Sequence, residues 1–207
     1  MRLTLVPVLL LSVPLALAGC SSTSNSPTAT TDPSAGTATG GAAPASDGPL
    51  PTTMTFETNR GDIVIATDPA APQTVAAQAA LAQQGYFDDT PCHRLVTSGI
   101  YVLQCGDPTG TGTGDPGYTL PDENLPEAKK NDYPAGTVAM ANAGPNTGGS
   151  QFFIVYRDTT LPPAYTVWGK VTSGLDAVKK IAADGTADGR SDGPPKKPVT
   201  ITAVTVD

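Results

Sequence analysis

Charged and aromatic side chains are scarce in this chain. Of its 207 residues, 15% are charged and 5% are aromatic, and there is a single His and a single Trp. One His excludes zinc sites built from several histidines. The 12 Lys and Arg residues are outnumbered by 19 Asp and Glu residues. Because the basic residues form no cluster, this acidic balance argues against nucleic acid as a partner and against electrostatic docking on anionic lipid.

Long apolar runs are also rare, and the longest stands at the start of the chain. After Met1 and Arg2, residues 3–18 are mostly apolar but contain Pro7 and Pro14. A helix that spans a membrane needs about 20 apolar residues, and two prolines weaken the run further. A short basic start before a modest apolar segment is typical of secretory signals. Residues 1–19 are therefore predicted to be a signal peptide.

The end of this segment, Leu17-Ala18-Gly19-Cys20, resembles the lipobox of bacterial lipoproteins. The resemblance implies cleavage before Cys20, a diacylglycerol thioether on its sulfur and acylation of the new N-terminus. Two or three acyl chains hold a protein on a membrane far better than one. The expected location is the extracytoplasmic face of the cell membrane, with the lipid on Cys20 as anchor. A plain secretory signal with a coincidental Cys is the alternative.

The segment that follows has too little apolar surface to fold. Between residues 21 and 51 there is no aromatic residue, and Leu50 is the only larger aliphatic one. Such a segment cannot offset the entropy lost on ordering. Residues 20–51 are therefore expected to form a disordered tether, and residues 52–207 a single folded, monomeric domain.

Within the folded part, β-prone runs dominate. Residues 54–67 predict a hairpin with its turn at 59–61, and residues 71–84 and 175–182 have the spacing of amphipathic helices. Six further strands are predicted over residues 92–96, 101–105, 136–141, 151–156, 166–171 and 199–206. Eight short strands and two helices favour a mainly β fold, a closed antiparallel barrel capped by the two helices.

Residues 136–156 are the most informative stretch. Two apolar runs flank a loop rich in Gly, Pro and Asn, and residues 140–154 read Met-Ala-Asn-Ala-Gly-Pro-Asn-Thr-Gly-Gly-Ser-Gln-Phe-Phe-Ile. This stretch resembles the signature of the cyclophilins, a family of peptidyl-prolyl isomerases. A second stretch, residues 85–107, resembles the same family, and the likeness extends over residues 54–207. It implies an eight-stranded barrel with two helices and an active site on its outer face.

The resemblance also implies roles for individual residues. Arg94 and Gln104 match the catalytic pair of the family, in which a guanidinium approaches the substrate proline. Asn142 would hold the peptide through its backbone beside Ala141 and Ala143, and Gln151 is a further polar candidate. The walls of the proline pocket would be Tyr101, Val102, Phe153, Leu161 and Tyr165.

One of these assignments is open. Two extra residues lie between Arg94 and Gln104 relative to better-studied members, which leaves Ile100 as an alternative to Tyr101. The family needs no metal or cofactor. Its chemistry implies that this chain isomerises X-Pro bonds in exported or cell-envelope polypeptides and so assists their folding. The alternative is a catalytically weak, proline-binding chaperone or adhesion lipoprotein with the same fold.

Other possible sites carry less weight. Residues 110–114 alternate Gly and Thr like a phosphate-binding loop, but no Gly-Lys-Ser/Thr follows, so a surface loop is expected. His93 is expected to be a hydrogen-bonded structural residue. Cys92 and Cys105 are expected to stay unpaired. If Arg94 and Gln104 share one face of two neighbouring strands, alternation places these two thiols on opposite faces.

Overall fold

The computed structural model describes residues 42–44 and 48–207. The predicted signal peptide, Cys20 and most of the tether lie outside these residues. Within the described ranges, no helix is long and apolar enough to cross a membrane. At the end of the predicted tether, Leu50 packs against the hydrophobic core, and the carbonyl of Pro51 accepts a hydrogen bond from the Thr67 hydroxyl. The domain therefore includes at least these two residues.

Both predicted helices are present, as α1 (Pro72–Gln83) and α2 (Leu175–Asp184). The structure has ten strands in its described part: β1 (Thr53–Thr58), β2 (Ile63–Thr67), β3 (Thr90–Pro91), β4 (Arg94–Val96), β5 (Val102–Cys105), β6 (Thr137–Met140), β7 (Phe152–Val155), β8 (Val167–Ser173), β9 (Asp192–Gly193) and β10 (Thr200–Val206). The mainly β class with two helices is thus confirmed.

The strands form one antiparallel sheet in the order β3-β10-β1-β2-β8-β6-β7-β5-β4-β9. Only Cys92 and His93 separate β3, at one end of this row, from β4, next to the other end. Because two residues span only a few ångströms, the sheet must curl until these ends approach each other. The expected count of eight strands was wrong. The chain from residue 90 to 96 forms two short strands instead of one, and β9 arises in a segment without β-prone residues.

The inner face of the curled sheet holds the hydrophobic core. Phe152 packs against Phe56 and Trp168, with ring centroids 5.1 and 5.8 Å apart. Alternation along β1 also turns Met54 inward, and α2 contributes Val178 to the same cluster. The side chains of opposite parity on β4, β5 and β7 are left to face outward, where the candidate site lies.

Helix α1 depends on partners outside itself. Its N-cap residue, Ala71, supplies no side-chain cap. The Glu123 carboxylate instead accepts hydrogen bonds from the backbone N–H groups of Gln73 and Thr74, at 3.1 and 2.9 Å. This places a negative charge at the positive end of the helix and satisfies two of its free donors. In the buried face of α1, Gln78 donates to the carbonyl of Gly149 at 3.1 Å.

Cys92 and Cys105 form a disulfide, with Cα atoms 4.0 Å apart, so the prediction of two free thiols was wrong. The prediction assumed regular alternation from Cys92 through Arg94. Cys92 and His93 lie in neither β3 nor β4, and Cys92 N–H donates to the carbonyl of Val199 at 2.9 Å. The regular strand pattern is interrupted there, and the Cys92 side chain lies in the core beside Cys105.

The disulfide is testable by thiol titration of residues 48–207 purified without reductant and then denatured. We expect no free thiol before reduction and two after it. Because the bridge closes a loop of 13 residues, reduction should lower the free energy of unfolding by about 2–4 kcal/mol. A Cys92→Ala/Cys105→Ala variant is the control, since its urea unfolding should not respond to reductant. Two free thiols in the unreduced protein would contradict the bridge.

Candidate active site

Strand register places four side chains in one lateral row on the outer face of the sheet. Arg94 on β4 lies opposite Gln104 on β5, and Gln104 lies opposite Phe153 on β7. Phe153 in turn lies opposite Ala139 on β6. Directly opposed residues point to the same face of an antiparallel sheet, so the cation, the amide and the aromatic ring are neighbours.

An apolar pocket of about 160 Å³ opens beside this row. Nine residues line it: Arg94, Ile100, Val102, Gln104, Ala141, Asn142, Phe153, Leu161 and Tyr165. Eight of these nine residues, all except Ile100, were predicted as catalytic or substrate-binding residues, and they meet at one place. These nine residues define the apolar pocket.

Aromatic packing fixes the floor of the apolar pocket. The Phe153 and Tyr165 rings meet nearly edge to face, with centroids 5.4 Å apart. Beneath them Tyr133 is fully buried, and its hydroxyl donates to the carbonyl of Tyr165 at 3.2 Å. Burial raises the pKa of Tyr133 to about 12, so the hydroxyl keeps its proton. The wall is therefore rigid and uncharged, as suits an apolar ligand ring.

Arg94 stands at the rim of the apolar pocket and has two partners. Its Nε and Nη2 atoms donate to the two carboxylate oxygens of Asp192, at 2.8 and 2.7 Å. Its Nη1 atom donates to Gln104 Oε1 at 3.3 Å. The hydrogen bond to Asp192 raises the pKa of Arg94. The guanidinium is thus permanently charged and held on two sides.

Side-chain amides continue this chain of contacts across the site. Gln104 Nε2 donates to Gln151 Oε1 at 2.9 Å, and Gln151 Nε2 donates to the carbonyl of Gly114 at 2.9 Å. Since each amide both donates and accepts, the orientation of Gln104 follows from its neighbours on both sides. Gln151 itself lines a second cavity and not the apolar pocket.

This second cavity, the polar groove, has a volume of about 630 Å³ and adjoins the apolar pocket. Gln104, Ala141 and Asn142 line both cavities, whereas Ala143 lines the groove alone. The Asn142 side chain is occupied, because its Nδ2 atom donates to the carbonyl of Ala164 at 2.7 Å. A ligand that crosses from pocket to groove would pass along the backbone of residues 141–143.

The Gly-rich loop at residues 110–114 forms one side of the polar groove. Its N–H groups at Gly112 and Gly114 donate to the buried Asp107 carboxylate, at 2.6 and 3.2 Å. Although burial acts to raise it, hydrogen bonds from Thr109 and these backbone groups lower the pKa of Asp107 to about 2. These donors are therefore taken by a carboxylate. This arrangement agrees with the surface loop that we expected in place of a phosphate site.

Among the residues that the structure describes, His93 does not form the hydrogen bonds that were expected of it. Both ring nitrogens are buried and have no hydrogen-bond partner within the described part of the chain, and burial lowers the pKa of His93. The expected hydrogen-bonded role was wrong because the chain leaves the strand pattern at residues 92–93. The ring lies beside the loop at Gly112.

Tyr101 also lies elsewhere than expected. Its ring packs edge to face on Tyr156, and the Arg157 guanidinium lies over it, 4.3 Å from the ring centroid. Alternation from Gln104 explains this, since Val102 and Ile100 share the parity of Gln104 and Tyr101 does not. Ile100 therefore lines the apolar pocket in place of Tyr101.

Asp192 is a site residue that was not predicted from the sequence. It lies 98 residues after Arg94, in a Gly- and Pro-rich segment whose spacing to the other site residues carries no pattern. For Ile100 a signal was present, namely the strand parity counted back from Gln104. For Asp192 no such signal exists, because only the folded chain brings it to Arg94.

Comparison with known proteins points in one direction. Residues 53–206 match the family model described as "Cyclophilin type peptidyl-prolyl cis-trans isomerase/CLD". The chain is 48% identical over 171 residues to the "Probable peptidyl-prolyl cis-trans isomerase B" of Mycobacterium tuberculosis, an alignment that covers 77% of this chain and 56% of that protein. The chain thus spans little more than half the length of that relative.

A second relative and a solved structure agree with this. The "Peptidyl-prolyl cis-trans isomerase B" of Bacillus subtilis is 46% identical over 114 residues, which cover 55% of this chain and 77% of that protein. The fold matches a crystal structure of a Cryptosporidium parvum cyclophilin type isomerase in the presence of the dipeptide Ala-Pro. The TM-score is 0.64 at 30% identity, with 75% of this chain and 98% of the other covered.

Proposed function

This chain belongs to the cyclophilin type peptidyl-prolyl cis-trans isomerases, and from that premise we propose that it isomerises X-Pro peptide bonds with Arg94 as the catalytic residue. The observation that carries the proposal is the position of Arg94 at the rim of the apolar pocket. A permanently charged donor there lies beside the apolar side chains of Ile100, Phe153 and Leu161, which suit the ring of a proline.

The chemistry needs little more than such a donor. Rotation about a peptide bond is opposed by about 18–20 kcal/mol, because the nitrogen shares its lone pair with the carbonyl. In the twisted state the lone pair returns to the nitrogen, where it can accept a hydrogen bond. A donor that meets this nitrogen only in the twisted state lowers the barrier without tightening the ground state. Arg94 supports this role because its charge does not depend on pH near neutrality.

The remaining site residues support binding of the substrate. The proline ring would lie on Phe153, between Leu161 and Tyr165, and the residue before it would extend over Ala141 and Ala143 into the polar groove. The backbone at Asn142 would hold the peptide, since its side chain is bound to Ala164. Gln104 would orient the Arg94 guanidinium through its 3.3 Å contact.

Replacement of Arg94 tests the proposal. Removal of one preorganised donor elsewhere costs ~2.7–4 kcal/mol in the transition state, and each ~1.36 kcal/mol is tenfold in rate. Arg94→Ala should therefore lower kcat on a short X-Pro peptide by about a hundredfold or more, with thermal stability and peptide affinity nearly unchanged. Arg94→Lys should restore little, because a point charge lacks the planar fork of donors.

Two results would contradict this assignment. A folded Arg94→Ala protein with wild-type kcat would remove Arg94 from the mechanism. A wild-type protein that binds X-Pro peptides but does not isomerise them would favour the alternative, a proline-binding chaperone or adhesion module.

The finding that Ile100, and not Tyr101, lines the apolar pocket gives a second test. Ile100→Ala should raise the KM for an X-Pro peptide several-fold, because it removes apolar contact from the pocket wall. Tyr101→Leu is the matched control. It should leave KM unchanged, since Tyr101 packs on Tyr156 and lies outside the pocket. If KM responds to Tyr101→Leu and not to Ile100→Ala, the position of the substrate is wrong.

We also propose that the protein acts at the cell envelope, anchored through lipid on Cys20, as a monomer on exported polypeptides. The Leu-Ala-Gly-Cys motif at residues 17–20 supports this. The disulfide between Cys92 and Cys105 supports it independently, because structural disulfides persist outside the reducing cytosol.

Fractionation of bacteria that express the full chain tests the anchor. The wild-type protein should sediment with membranes and enter a detergent phase, because two or three acyl chains bind the bilayer strongly. Cys20→Ser should move it to the aqueous phase or leave it unprocessed. Ser21→Ala is the control and should stay in the membrane fraction. A wild-type protein found only in the aqueous phase would show that Cys20 carries no lipid.

A further inference from the structure

We propose that Asp192 is a positioning residue for Arg94, which sets the guanidinium so that its free donors reach the apolar pocket. The inference rests on the proposed function, since it assigns a partner to the proposed catalytic residue. It is carried by the bidentate contact, in which Nε and Nη2 of Arg94 meet the two oxygens of Asp192 at 2.8 and 2.7 Å.

Strand register explains why these two side chains meet. On the edge of the sheet β9 pairs with β4, with Val96 opposite Asp192 and Leu95 opposite Gly193. Arg94 is two residues from Val96 and therefore points to the same face, diagonal to Asp192 across the strand pair. A long side chain reaches such a diagonal neighbour. The contact is thus a consequence of the pairing of β4 with β9.

The backbone that carries Asp192 is firmly held. Thr97 N–H donates to the carbonyl of Ser191 at 2.8 Å, which fixes the residue before Asp192 against the end of β4. On the other side of the loop, Ala187 N–H donates to the carbonyl of Pro194 at 2.9 Å. The backbone on both sides of Asp192 therefore holds its carboxylate in position, so that both oxygens face the Arg94 guanidinium.

The contacts with Asp192 and Gln104 leave two of the N–H groups of Arg94 free. A guanidinium has five N–H groups. Two of Arg94 donate to Asp192 and one donates to Gln104, which leaves one on Nη1 and one on Nη2. With three donors fixed, the planar group cannot rotate. The orientation of the two free N–H groups is therefore fixed as well. A fixed orientation is what a preorganised transition-state donor requires.

Asp192 approaches from outside the apolar pocket. Arg94 and Gln104 line both that pocket and a neighbouring open cavity, whereas Asp192 and Arg190 line only the neighbouring cavity. The carboxylate therefore contacts the guanidinium from the far side and takes no space from the substrate.

Exposure argues that the ion pair does not serve stability. The side chains of Arg94 and Asp192 are 41% and 49% exposed, and exposed ion pairs contribute little to the free energy of folding. Loss of the Asp192 charge should accordingly be visible in turnover rather than in Tm. This separates a positioning role from a structural one.

The test uses Asp192→Asn and Asp192→Glu in the purified protein, with an X-Pro peptide as substrate. Asp192→Asn should lower kcat between about tenfold and a hundredfold, the effect of a small misplacement of a catalytic group, with KM and Tm nearly unchanged. Asp192→Glu keeps both the charge and the fork and should recover part of kcat. Asp188→Asn is the matched control. It lies in the same loop, pairs with Arg190, and should retain wild-type kcat.

The contact itself can be observed by NMR, independently of activity. In ¹⁵N-labelled protein, the Arg94 Nε–H resonance, assigned by its loss in Arg94→Lys, should exchange slowly with water because Nε donates to Asp192. In Asp192→Asn it should exchange as fast as the Nε–H groups of exposed arginines, and in Asp188→Asn it should stay slow.

The outcomes separate this inference from the proposed function. If the wild-type protein isomerises the peptide but Asp192→Asn has the same kcat as Asp188→Asn, the positioning role is overturned and the proposed function stands. If the Nε–H resonance is unchanged in Asp192→Asn, the fork is not formed and the inference fails as well. If the wild-type protein has no isomerase activity, the proposed function is overturned and this inference with it.

Discussion

The register between β4, β5, β7 and β6 is the constraint on which the site depends. Across these four strands, each site residue lies directly opposite the next: Arg94 opposite Gln104, Gln104 opposite Phe153, and Phe153 opposite Ala139. Because side chains alternate along a strand, a one-residue shift in the pairing of any of these strands would turn its site residue from the outer face into the core. The large inward residues Leu103, Phe152 and Ile154 prevent such a shift, since it would expose them. Core packing on one face thus determines the chemistry on the other.

This dependence explains which parts could be predicted from the sequence. The helices and eight of the ten strands follow from apolar periodicity, and the stretch at residues 140–154 identifies the family. Arg94, Gln104 and Phe153 lie inside regular strands, where parity determines their direction. Their meeting could therefore be anticipated. Tyr101 was misplaced because its assignment followed the family position, whereas counting parity from Gln104 leads to Ile100.

The failures fall where the chain leaves regular structure. At Cys92 and His93 the strand is interrupted, so alternation predicts neither the disulfide nor the environment of the imidazole. Asp192 lies in a two-residue strand formed only because β4 offers an edge for pairing. Long-range contacts of this kind depend on the whole curled sheet. No local pattern in residues 185–196 could have indicated them.

The ionised pair of Arg94 and Asp192 suits a reaction that transfers no proton. Arginine is protonated at neutral pH in any environment; the hydrogen bond to Asp192 raises the pKa of Arg94 further and lowers the pKa of Asp192. Both groups are therefore ionised throughout the neutral range, and the pair has no net charge. A neutral pair does not attract anions into the pocket, yet its two free N–H groups remain strong donors. Bond rotation transfers no proton, so a site whose charges do not titrate matches a reaction that requires only a directed hydrogen bond.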